Sequence, residues 1–436
     1  MRRFRYVPDD DRACGWWALL PPPSPARRLA STESSDWAVL GAGFTGLAAA
    51  RRLAEHRPND RIVLLDASRV GAGSSGRNSG FILDVGHWHE RLDVAGNSRL
   101  LRLQRAGQSY LREIVLRDAI DCSWSEIGCL RVAVEDVGMR RLDALHRGLD
   151  AMGESYERLD PEALQRRIGT NHYAAAIRTP GTVLVQPSAL ARGLGRALPA
   201  NVDLFEESPI RAVEPSGSGL RLVSDGGSLQ TKALFLATNG FTPALGFLRR
   251  RIFPLLTFAS LTRPLEPQER RHVGEDPEWG LVPEERMGTT LRRTRDQRIL
   301  VRNTVRYVPD LVLGERERAM VVEAHRRSLR ARFPALEGIE LAFTWAGVLG
   351  MTLNEAQFFG RVENGIFASC AYNGVGVSLG TISGVLLADL AVGRRSELLA
   401  DLEALPAPAW IPGEPWLGIA VRSAVGWLRR RAGREC

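Results

Sequence analysis

The sequence predicts an α/β chain with two domains, and three observations carry that prediction. A βαβ unit begins near the N-terminus, where the apolar pattern places a strand at Trp37–Leu40, a helix at Phe44–His56 and a strand at Ile62–Leu65. Phe235–Ala237 is a further short buried strand of the same kind. Residues 251–307 alternate short strands with turns, which predicts a separate sheet. A chain of 436 residues is long enough for two interleaved domains.

Composition narrows the classes of function. Charged residues make up 25% of the chain and apolar residues 44%, which is typical of an ordered globular protein. The net charge of +8 comes from scattered arginines, with Lys232 as the sole lysine, and no stacking motif accompanies them, so we expect no nucleic-acid partner. The charged segment Met1–Asp11 lacks the apolar core of a signal peptide, and no run reaches membrane-spanning length. Five cysteines without CxxC spacing fit a reducing compartment, so we expect a cytoplasmic protein with no integral membrane segment.

The first glycine loop, Gly41–Gly46, reads Gly-Ala-Gly-Phe-Thr-Gly and lies between the first strand and its helix. In a dinucleotide fingerprint the first glycine allows a tight turn, Gly43 lets the backbone approach a pyrophosphate, and Gly46 lets the helix pack close to the strand. Asp66 ends the second strand, twenty residues after Gly46, where a carboxylate accepts hydrogen bonds from ribose hydroxyls. The combination predicts a dinucleotide site.

Two more glycine-rich segments indicate which dinucleotide is bound. The second glycine loop, Gly71–Gly80, exposes many amides and hydroxyls, and Arg77 within it can offset phosphate charge. The third glycine loop, Tyr372–Gly376, opens a predicted helix at Gly380–Val392, and a helix N-terminus stabilises an electron-rich group. An NAD dehydrogenase has no need of this third loop, whereas a reduced flavin carries negative charge that it would stabilise.

Together these motifs resemble the FAD-dependent amine and amino-acid oxidoreductases of the D-amino-acid oxidase family, most closely the branch that contains gamma-glutamylputrescine oxidoreductase. The matching segments are Val39–Ala49, Arg69–Gly71, Ser75–Asn78, Leu236–Gly240, Pro254, Thr262, Pro264, Arg292, Thr294, Asp296, Arg298, Trp345, Gly347, Gly374, Gly376 and the arm Gly15–Trp17. The resemblance covers nearly the whole chain.

The resemblance implies a doubly wound, Rossmann-type FAD-binding domain built from discontinuous segments, and a mixed-sheet α+β substrate domain over the flavin. It predicts an N-terminal arm at 1–35, an FAD-binding domain at 36–90, 155–250 and 340–395, a substrate domain at 91–154 and 251–339, and a tail at 396–436 with an amphipathic helix at Trp416–Arg431. The implied FAD-binding residues are Gly41, Gly43, Phe44, Thr45, Gly46, Asp66, Ala67, Gly73, Ser74, Ser75, Gly76, Arg77, Asn78, Ser79, Gly80, Ile210, Ala237, Thr238, Asn239, Gly347, Asn373, Gly374, Val375 and Gly376.

Some positions depart from the family's pattern. Asp66 stands where Glu is usual, and both residues accept hydrogen bonds from ribose. Asn354 replaces a common Asp, Val375 a common His, and Thr290 and Leu291 replace aromatic residues. These changes lie near the expected active site and leave the substrate open. No cysteine lies near the approximate tether position at Gly347, so we expect non-covalent FAD.

The implied reaction is hydride transfer from the carbon next to an amine nitrogen, with oxygen or another acceptor reoxidising the flavin. This chemistry needs an uncharged amine, which a dry pocket favours, and a protein base is optional. His87 and His89 are the candidate bases, and Arg292 is the candidate for binding a substrate carboxylate. No third ligand completes a metal site around these histidines.

The predicted substrate is a small amine or amino-acid-like molecule, such as a gamma-glutamyl-polyamine. Two alternatives stay open at this point. One is a glycine, sarcosine or D-amino-acid oxidase of the same fold. The other, from a different class, is an NAD-binding dehydrogenase or a non-catalytic dinucleotide-binding protein. The tail helix, which carries several arginines, either packs on the protein's own surface or lies on a membrane.

Overall fold

The computed structural model describes residues 2–3, 14–309, 311 and 315–436, which form two large β-sheets with helices packed against them. Within those residues the first sheet has nine strands. Its centre is parallel, and the spatial order there is Val202–Phe205, Ile62–Leu65, Thr32–Leu40, Ser228–Leu236 and Ile366–Cys370. Since Thr32–Leu40 comes first in the chain and later strands add on both sides of it, the sheet is doubly wound, as predicted.

Four antiparallel strands complete the first sheet. They are Arg2–Arg3, Ile210–Ser216, Gly219–Ser224 and Phe358–Glu363. Gly219–Ser224 pairs with the first half of Ser228–Leu236, while Ile366–Cys370 pairs with its last three residues, so the sheet branches at this strand.

The central parallel strands are mostly apolar because both of their faces are covered. Val39 and Leu64 belong to one apolar cluster, whereas their chain neighbours Ala38 and Val63 belong to another on the opposite face. This alternation of buried residues is typical of a parallel sheet between two layers. The helices Phe44–His56, Ser378–Ala391 and Val94–Arg117 supply one of those layers.

The second sheet has eight strands in the described residues and is mixed. Their spatial order is Leu341–Met351, Phe253–Thr262, Ile299–Arg306, Thr290–Arg293, Trp279–Pro283, Cys129–Ala133, Ala175–Thr179 and Glu157–Leu159. All neighbours are antiparallel except Trp279–Pro283 and Cys129–Ala133, which pair in parallel. A two-stranded sheet, Phe81–Ile82 with Val183–Leu184, lies apart from both.

Three strands lie in a different sheet from the one that the predicted domain boundaries imply. Leu341–Met351 falls in the predicted FAD-binding segment 340–395 but pairs along its length with Phe253–Thr262 of the second sheet. Glu157–Leu159 and Ala175–Thr179 also join the second sheet. The cause is non-local: strand membership depends on a partner far away in the chain, which the local pattern does not specify.

The remaining helices cover the sheets and connect them. The α-helices are Gly15–Ala18, Ser74–Arg77, Asp136–Met152, Pro161–Ile168, Pro187–Arg196, Pro267–Arg270, Glu315–Arg332, Glu397–Glu403 and Trp416–Ala432, and the 3-10 turns are Asn239–Phe241, Pro334–Leu336 and Gly433–Glu435. Asp160 caps Pro161–Ile168, because its side chain accepts a hydrogen bond from the Ala163 amide. No helix in the described ranges is long and apolar enough to cross a membrane.

The N-terminal arm is fixed to the body through Trp16. Residues 1 and 4–13 of the predicted arm lie outside the described part of the chain. Trp16 is 3% exposed, donates from Nε1 to the Asn78 carbonyl at 2.9 Å and packs edge-on against Trp345. The arm therefore joins the second glycine loop to the second sheet.

Candidate active site

A cavity with a volume of about 1080 Å³ lies at the carboxyl ends of the parallel strands and extends to the second sheet. Ligands of doubly wound folds bind at this position, where the strand order reverses. Most of the predicted cofactor residues line it together: Gly41, Gly43, Phe44, Thr45, Asp66, Ala67, Gly73, Ser74, Ser75, Arg77, Asn78, Ser79, Ile210, Ala237, Thr238, Asn239, Gly347, Asn373, Gly374, Val375 and Gly376. Gly46, Gly76 and Gly80 do not line it.

The first glycine loop is built as the fingerprint requires. Gly41 has φ +104°, which L-residues with a side chain rarely adopt. Gly43 is the N-cap of Phe44–His56, so the first amides of this helix face the cavity. A Cβ on Gly46 would lie 1.8 Å from the Gly41 carbonyl oxygen. Gly46 therefore acts in helix-to-strand packing, behind the cavity wall.

The second glycine loop repeats the spacing of the first, which the sequence analysis missed although Gly71, Gly73 and Gly76 display it. Gly71 has φ +86°, and a Cβ on Gly76 would lie 1.8 Å from the Gly71 carbonyl oxygen. The two loops meet where the Phe44 amide donates to Ser75 Oγ at 3.1 Å. Two equivalent turns thus form one continuous wall of backbone.

Asp66 and Arg77 are held in place by the backbone around them. Asp66 accepts hydrogen bonds from the Ala42 amide at 2.7 Å and from the Ser68 amide at 2.8 Å. The Arg77 guanidinium donates to the Ala72 carbonyl at 2.6 Å and to the Ala346 carbonyl at 3.0 Å. Arg77 therefore ties the second glycine loop to the second sheet and brings a positive charge to the cavity wall.

The third glycine loop closes the opposite side of the cavity. Asn239 and Asn373 both have positive φ, and each side chain fastens a neighbouring segment. Asn239 Oδ1 accepts from the Ala371 amide at 2.8 Å, and Asn373 Oδ1 accepts from the Thr352 amide at 3.0 Å. The loop leads into the N-terminus of Ser378–Ala391, whose first residues line the cavity.

The residues present fit a flavin dinucleotide. A Cβ built on Gly73 or Gly374 would meet no protein atom within 4 Å, so both glycines border open space and their backbone is accessible to a ligand. Ile210, at the start of its strand, lines the far end of the same cavity. No cysteine in the described residues lines the cavity.

His87 lines the cavity beside a buried ion pair. Arg131 and Glu284 are 0% and 2% exposed and form a short salt bridge. Arg131 Nη2 lies 3.2 Å from His87 Nδ1, and Glu284 Oε2 lies 3.4 Å from the same atom. Burial lowers the pKa of His87. Burial by itself raises the pKa of Glu284, but the charge of Arg131 outweighs it and holds that pKa at about 2.

His89 lines the cavity as well, next to Arg286, whose guanidinium pairs with Glu355. Burial and the charge of Arg286 lower the pKa of His89 to about 4. His89 therefore loses its proton well below neutral pH, and the lowered pKa of His87 also favours its neutral form. No group of three or more metal-ligating side chains forms a metal site among the described residues.

Arg292 does not occupy the position that the sequence predicts for it. Its side chain is 2% exposed, does not line the cavity, and donates to the carbonyls of Gly80 and Val185. Glu278 lies 3.3 Å from its Nη2. The predicted role in binding a substrate carboxylate is disfavoured by this geometry, because the protein itself engages Nη1 and Nη2 of the guanidinium. Gly80 is a glycine because a Cβ there would lie 2.2 Å from Arg292 Nη1.

Arg302 is a candidate for binding a substrate anion that the sequence did not single out for that role. It lines the cavity from the second sheet, in a row of paired residues with Ala259 and Thr290. Burial lowers its pKa, and in the described part of the chain no carboxylate or carbonyl pairs with its guanidinium. A half-buried guanidinium that lines a cavity without a protein partner is available to an anionic group of a ligand.

Lys232 does not line the cavity. Its side chain is 80% exposed and its Nζ lies 2.7 Å from Asp36. No lysine lines the cavity in the described residues, so the positive charges at its wall belong to arginines.

Comparisons with known proteins agree with this geometry. The family described as DAO, FAD dependent oxidoreductase, matches residues 36–390. The chain is 28% identical over 417 residues to the "Probable oxidoreductase OrdL" of Rhizobium meliloti (92% of this chain, 93% of that protein). It is 27% identical over 397 residues to the gamma-glutamylputrescine oxidoreductase of Escherichia coli (88% and 90%). The glycine oxidase structure from Geobacillus kaustophilus has the same fold, with a TM-score of 0.69 at 19% identity over 84% of this chain and 96% of that one. This chain belongs to the DAO family of FAD-dependent oxidoreductases.

Proposed function

We propose that this enzyme oxidises the carbon–nitrogen bond of an amine that also carries an anionic group, using FAD bound without a covalent link. The observation that carries the proposal is Arg302, a half-buried guanidinium that lines the cavity and has no ion-pair partner among the described residues. A carboxylate matches its fork geometry. The Escherichia coli relative is named for gamma-glutamylputrescine, which has an amine at one end and a glutamyl carboxylate at the other.

The positive charge of Arg302 also favours the neutral form of the substrate amine. An ammonium group entering a cavity beside Arg302 is disfavoured by charge repulsion and by loss of water, so its pKa falls and the neutral amine binds. FAD, when bound, accepts the hydride from the carbon next to nitrogen. We assign its binding to the backbone of the first and second glycine loops, to Asp66, and to the N-terminus of Ser378–Ala391.

We infer that His87 acts as a neutral imidazole that Arg131 and Glu284 hold in place at the cavity wall. Burial lowers its pKa. Arg131 Nη2, 3.2 Å from His87 Nδ1, can only donate to that atom, whereas the ionised Glu284 carboxylate, 3.4 Å away, can only accept from it. Both neighbours therefore fix the position of the ring, and either ring nitrogen can carry the proton.

Anaerobic mixing of the purified yellow protein with candidate substrates tests the proposal. We expect gamma-glutamylputrescine to bleach the flavin, and putrescine, which lacks the carboxylate, to do so only at far higher concentration. Equal bleaching by both amines would show that no anionic end is recognised. Bleaching confined to glycine, sarcosine or D-alanine would favour the small amino-acid oxidase instead, and no bleaching by any amine would contradict oxidation of a carbon–nitrogen bond.

Arg302 variants test the observation itself. Since hydrogen bonds to charged groups contribute about 1.5–3 kcal/mol, Arg302→Leu should raise KM for the carboxylate-bearing amine roughly 10- to 150-fold. Arg302→Lys should restore part of the affinity because it keeps the charge. Arg306→Gln is the matched control, in the same strand but outside the cavity lining. A KM unchanged in Arg302→Leu would remove Arg302 from the substrate site.

A further inference from the structure

We propose that the outer face of the C-terminal helix, Trp416–Ala432, binds an anionic membrane surface. Large apolar side chains are exposed on this face to a degree found at few other places in the described chain: Trp416 is 69% exposed, Trp427 57% and Ile419 54%. Trp410, just before the helix, is 58% exposed. Leaving such side chains in water is unfavourable, and an exposed cluster of them marks an interaction surface.

The face has a defined geometry. Trp416 and Trp427 are eleven residues apart, which is close to three full turns, so the two indoles lie on one side of the helix about 16 Å apart. Ile419 and Arg430 fall near the same line. Leu417, Val421, Val425 and Leu428 occupy the opposite side, and they are buried or half-buried against the protein. The helix therefore has a protein-facing apolar side and a second, uncovered one.

Charge selects the partner. The helix contains four arginines, Arg422, Arg429, Arg430 and Arg431, all exposed, and no acidic residue. Tryptophan together with arginine on an interfacial helix matches the boundary between lipid headgroups and acyl chains. A second copy of this chain would bring the same arginines to the interface without supplying acidic partners from this helix, so an anionic lipid surface fits better.

Both ends of the helix are anchored, so the face is presented rigidly. Before its first residue, Tyr307 donates a short hydrogen bond to Glu414. After its last turn, Glu435 is 1% exposed and accepts hydrogen bonds from the Val134 and Glu135 amides, while Arg332 donates to the Glu435 carbonyl. Folding thus fixes the helix on the body and leaves its outer side in solvent.

The position of the helix gives this binding a consequence for the active site. Val425 and Leu428, on its inner side, line the cavity. A helix with its side chains is about 10 Å across, so a docked protein would hold the cavity within roughly that distance of the lipid surface. Lipid-dissolved molecules would then have a short path to the cavity.

Co-sedimentation of the full-length, flavin-loaded protein with vesicles tests this proposal. We expect binding to vesicles that contain phosphatidylglycerol, little binding to phosphatidylcholine alone, and loss of binding as salt is raised. The triple variant R429Q/R430Q/R431Q should lower the partition coefficient roughly 100-fold, because each arginine near an anionic surface contributes about 1 kcal/mol. W416S/W427S should also lower the partition coefficient, for both kinds of vesicle.

Matched controls keep the test decisive. Val94→Ser and Leu116→Ser remove exposed apolar side chains from another helix, and Arg394→Gln with Arg395→Gln removes exposed arginines elsewhere. These variants should bind vesicles like the wild type, and all variants should keep their flavin. Failure of the wild-type protein to bind anionic vesicles would overturn the proposal. A dimer, measured by light scattering, that dissociates in W416S/W427S would assign the face to a second copy instead.

Discussion

Replacing Gly46 with alanine is the sharpest test of how the first glycine loop is built. The added Cβ would lie 1.8 Å from the Gly41 carbonyl oxygen, whereas ordinary contacts begin at 3.4 Å. The helix Phe44–His56 must therefore shift by about 1.6 Å (3.4 − 1.8), since the opposing atom is backbone and cannot rotate away. Overpacking of this kind costs about 1–3 kcal/mol. We expect Gly46→Ala to lower the free energy of unfolding of the flavin-free protein by that amount and to weaken FAD binding as well.

Gly73→Ala is the matched control, because it separates crowding within the protein from crowding against the cofactor. Its φ of −78° suits alanine, and the added Cβ would meet no protein atom within 4 Å. The flavin-free variant should unfold like the wild type, while the dissociation constant for FAD rises.

Urea unfolding of both flavin-free variants, with FAD titration followed by absorbance, gives the two quantities separately. Unchanged stability in Gly46→Ala would refute the close approach of helix to turn. Unchanged FAD affinity in Gly73→Ala would show that the open space beside this glycine is not occupied by the cofactor.

Three further predictions concern the flavin and pH. Acid precipitation should release all yellow colour into the supernatant, because no cysteine in the described residues lines the cavity; colour in the pellet would indicate a covalent link. Reoxidation by oxygen should be slower than turnover with an artificial acceptor. Lys232 is exposed, and the cations that line the cavity in the described residues are guanidinium groups, whose charge is more diffuse than that of an ammonium group. Stopped-flow mixing of the reduced enzyme with oxygen measures the rate of reoxidation. Burial lowers the pKa of His325 from 6.5 to about 4, so its contribution to stability is complete above 6.5 and is lost as pH falls towards 4; His325→Gln should flatten urea-unfolding free energies across that window.

Local patterns predicted the βαβ unit well. The helix Phe44–His56 and the strand Ile62–Leu65 have the predicted bounds, and Pro161–Ile168 with its cap at Asp160 is a further element that local residues specify. Each of these elements is specified by neighbouring residues: a capping side chain, a glycine turn or a short apolar run. The strand predicted at Trp37–Leu40 begins earlier, at Thr32, because its exposed first half still pairs with Ser228–Leu236.

Long-range pairing is what the sequence could not specify. Leu341–Met351 is flanked by cofactor-binding motifs, yet its partner is Phe253–Thr262, about ninety residues earlier in the chain. The strand belongs to the second sheet but also contacts the cofactor-binding side. Gly347 and Trp345 lie against the second glycine loop, where Trp345 Nε1 donates to the Arg77 carbonyl at 2.9 Å. A contact of this kind leaves no periodic signal in the residues around it.

The choice between Arg292 and Arg302 as the proposed substrate-binding arginine is another feature that the sequence could not specify. Arg292 pairs with Leu300, and Arg302 pairs with Thr290, so both arginines project from the same face of adjacent strands. They differ by one side-chain repeat, about 7 Å along the strand. The sequence shows an arginine in each of two adjacent strands, but it does not show which of the two arginines reaches the cavity.

The free energy of unfolding distinguishes the roles of Arg292 and Arg302 without any assumption about the substrate. Arg292→Leu would leave the Val185 carbonyl without its donor and Glu278 with Arg295 as its remaining ion-pair partner, which costs about 1–3 kcal/mol for the unsatisfied buried acceptor. Arg302→Leu removes a half-buried charge that no described residue pairs with, so the substrate-free protein should be about as stable as the wild type. Urea unfolding of the two variants measures the difference. A large loss of stability in Arg302→Leu would mean that the protein itself satisfies this guanidinium, and the case for Arg302 as the anion-binding group would fail with it.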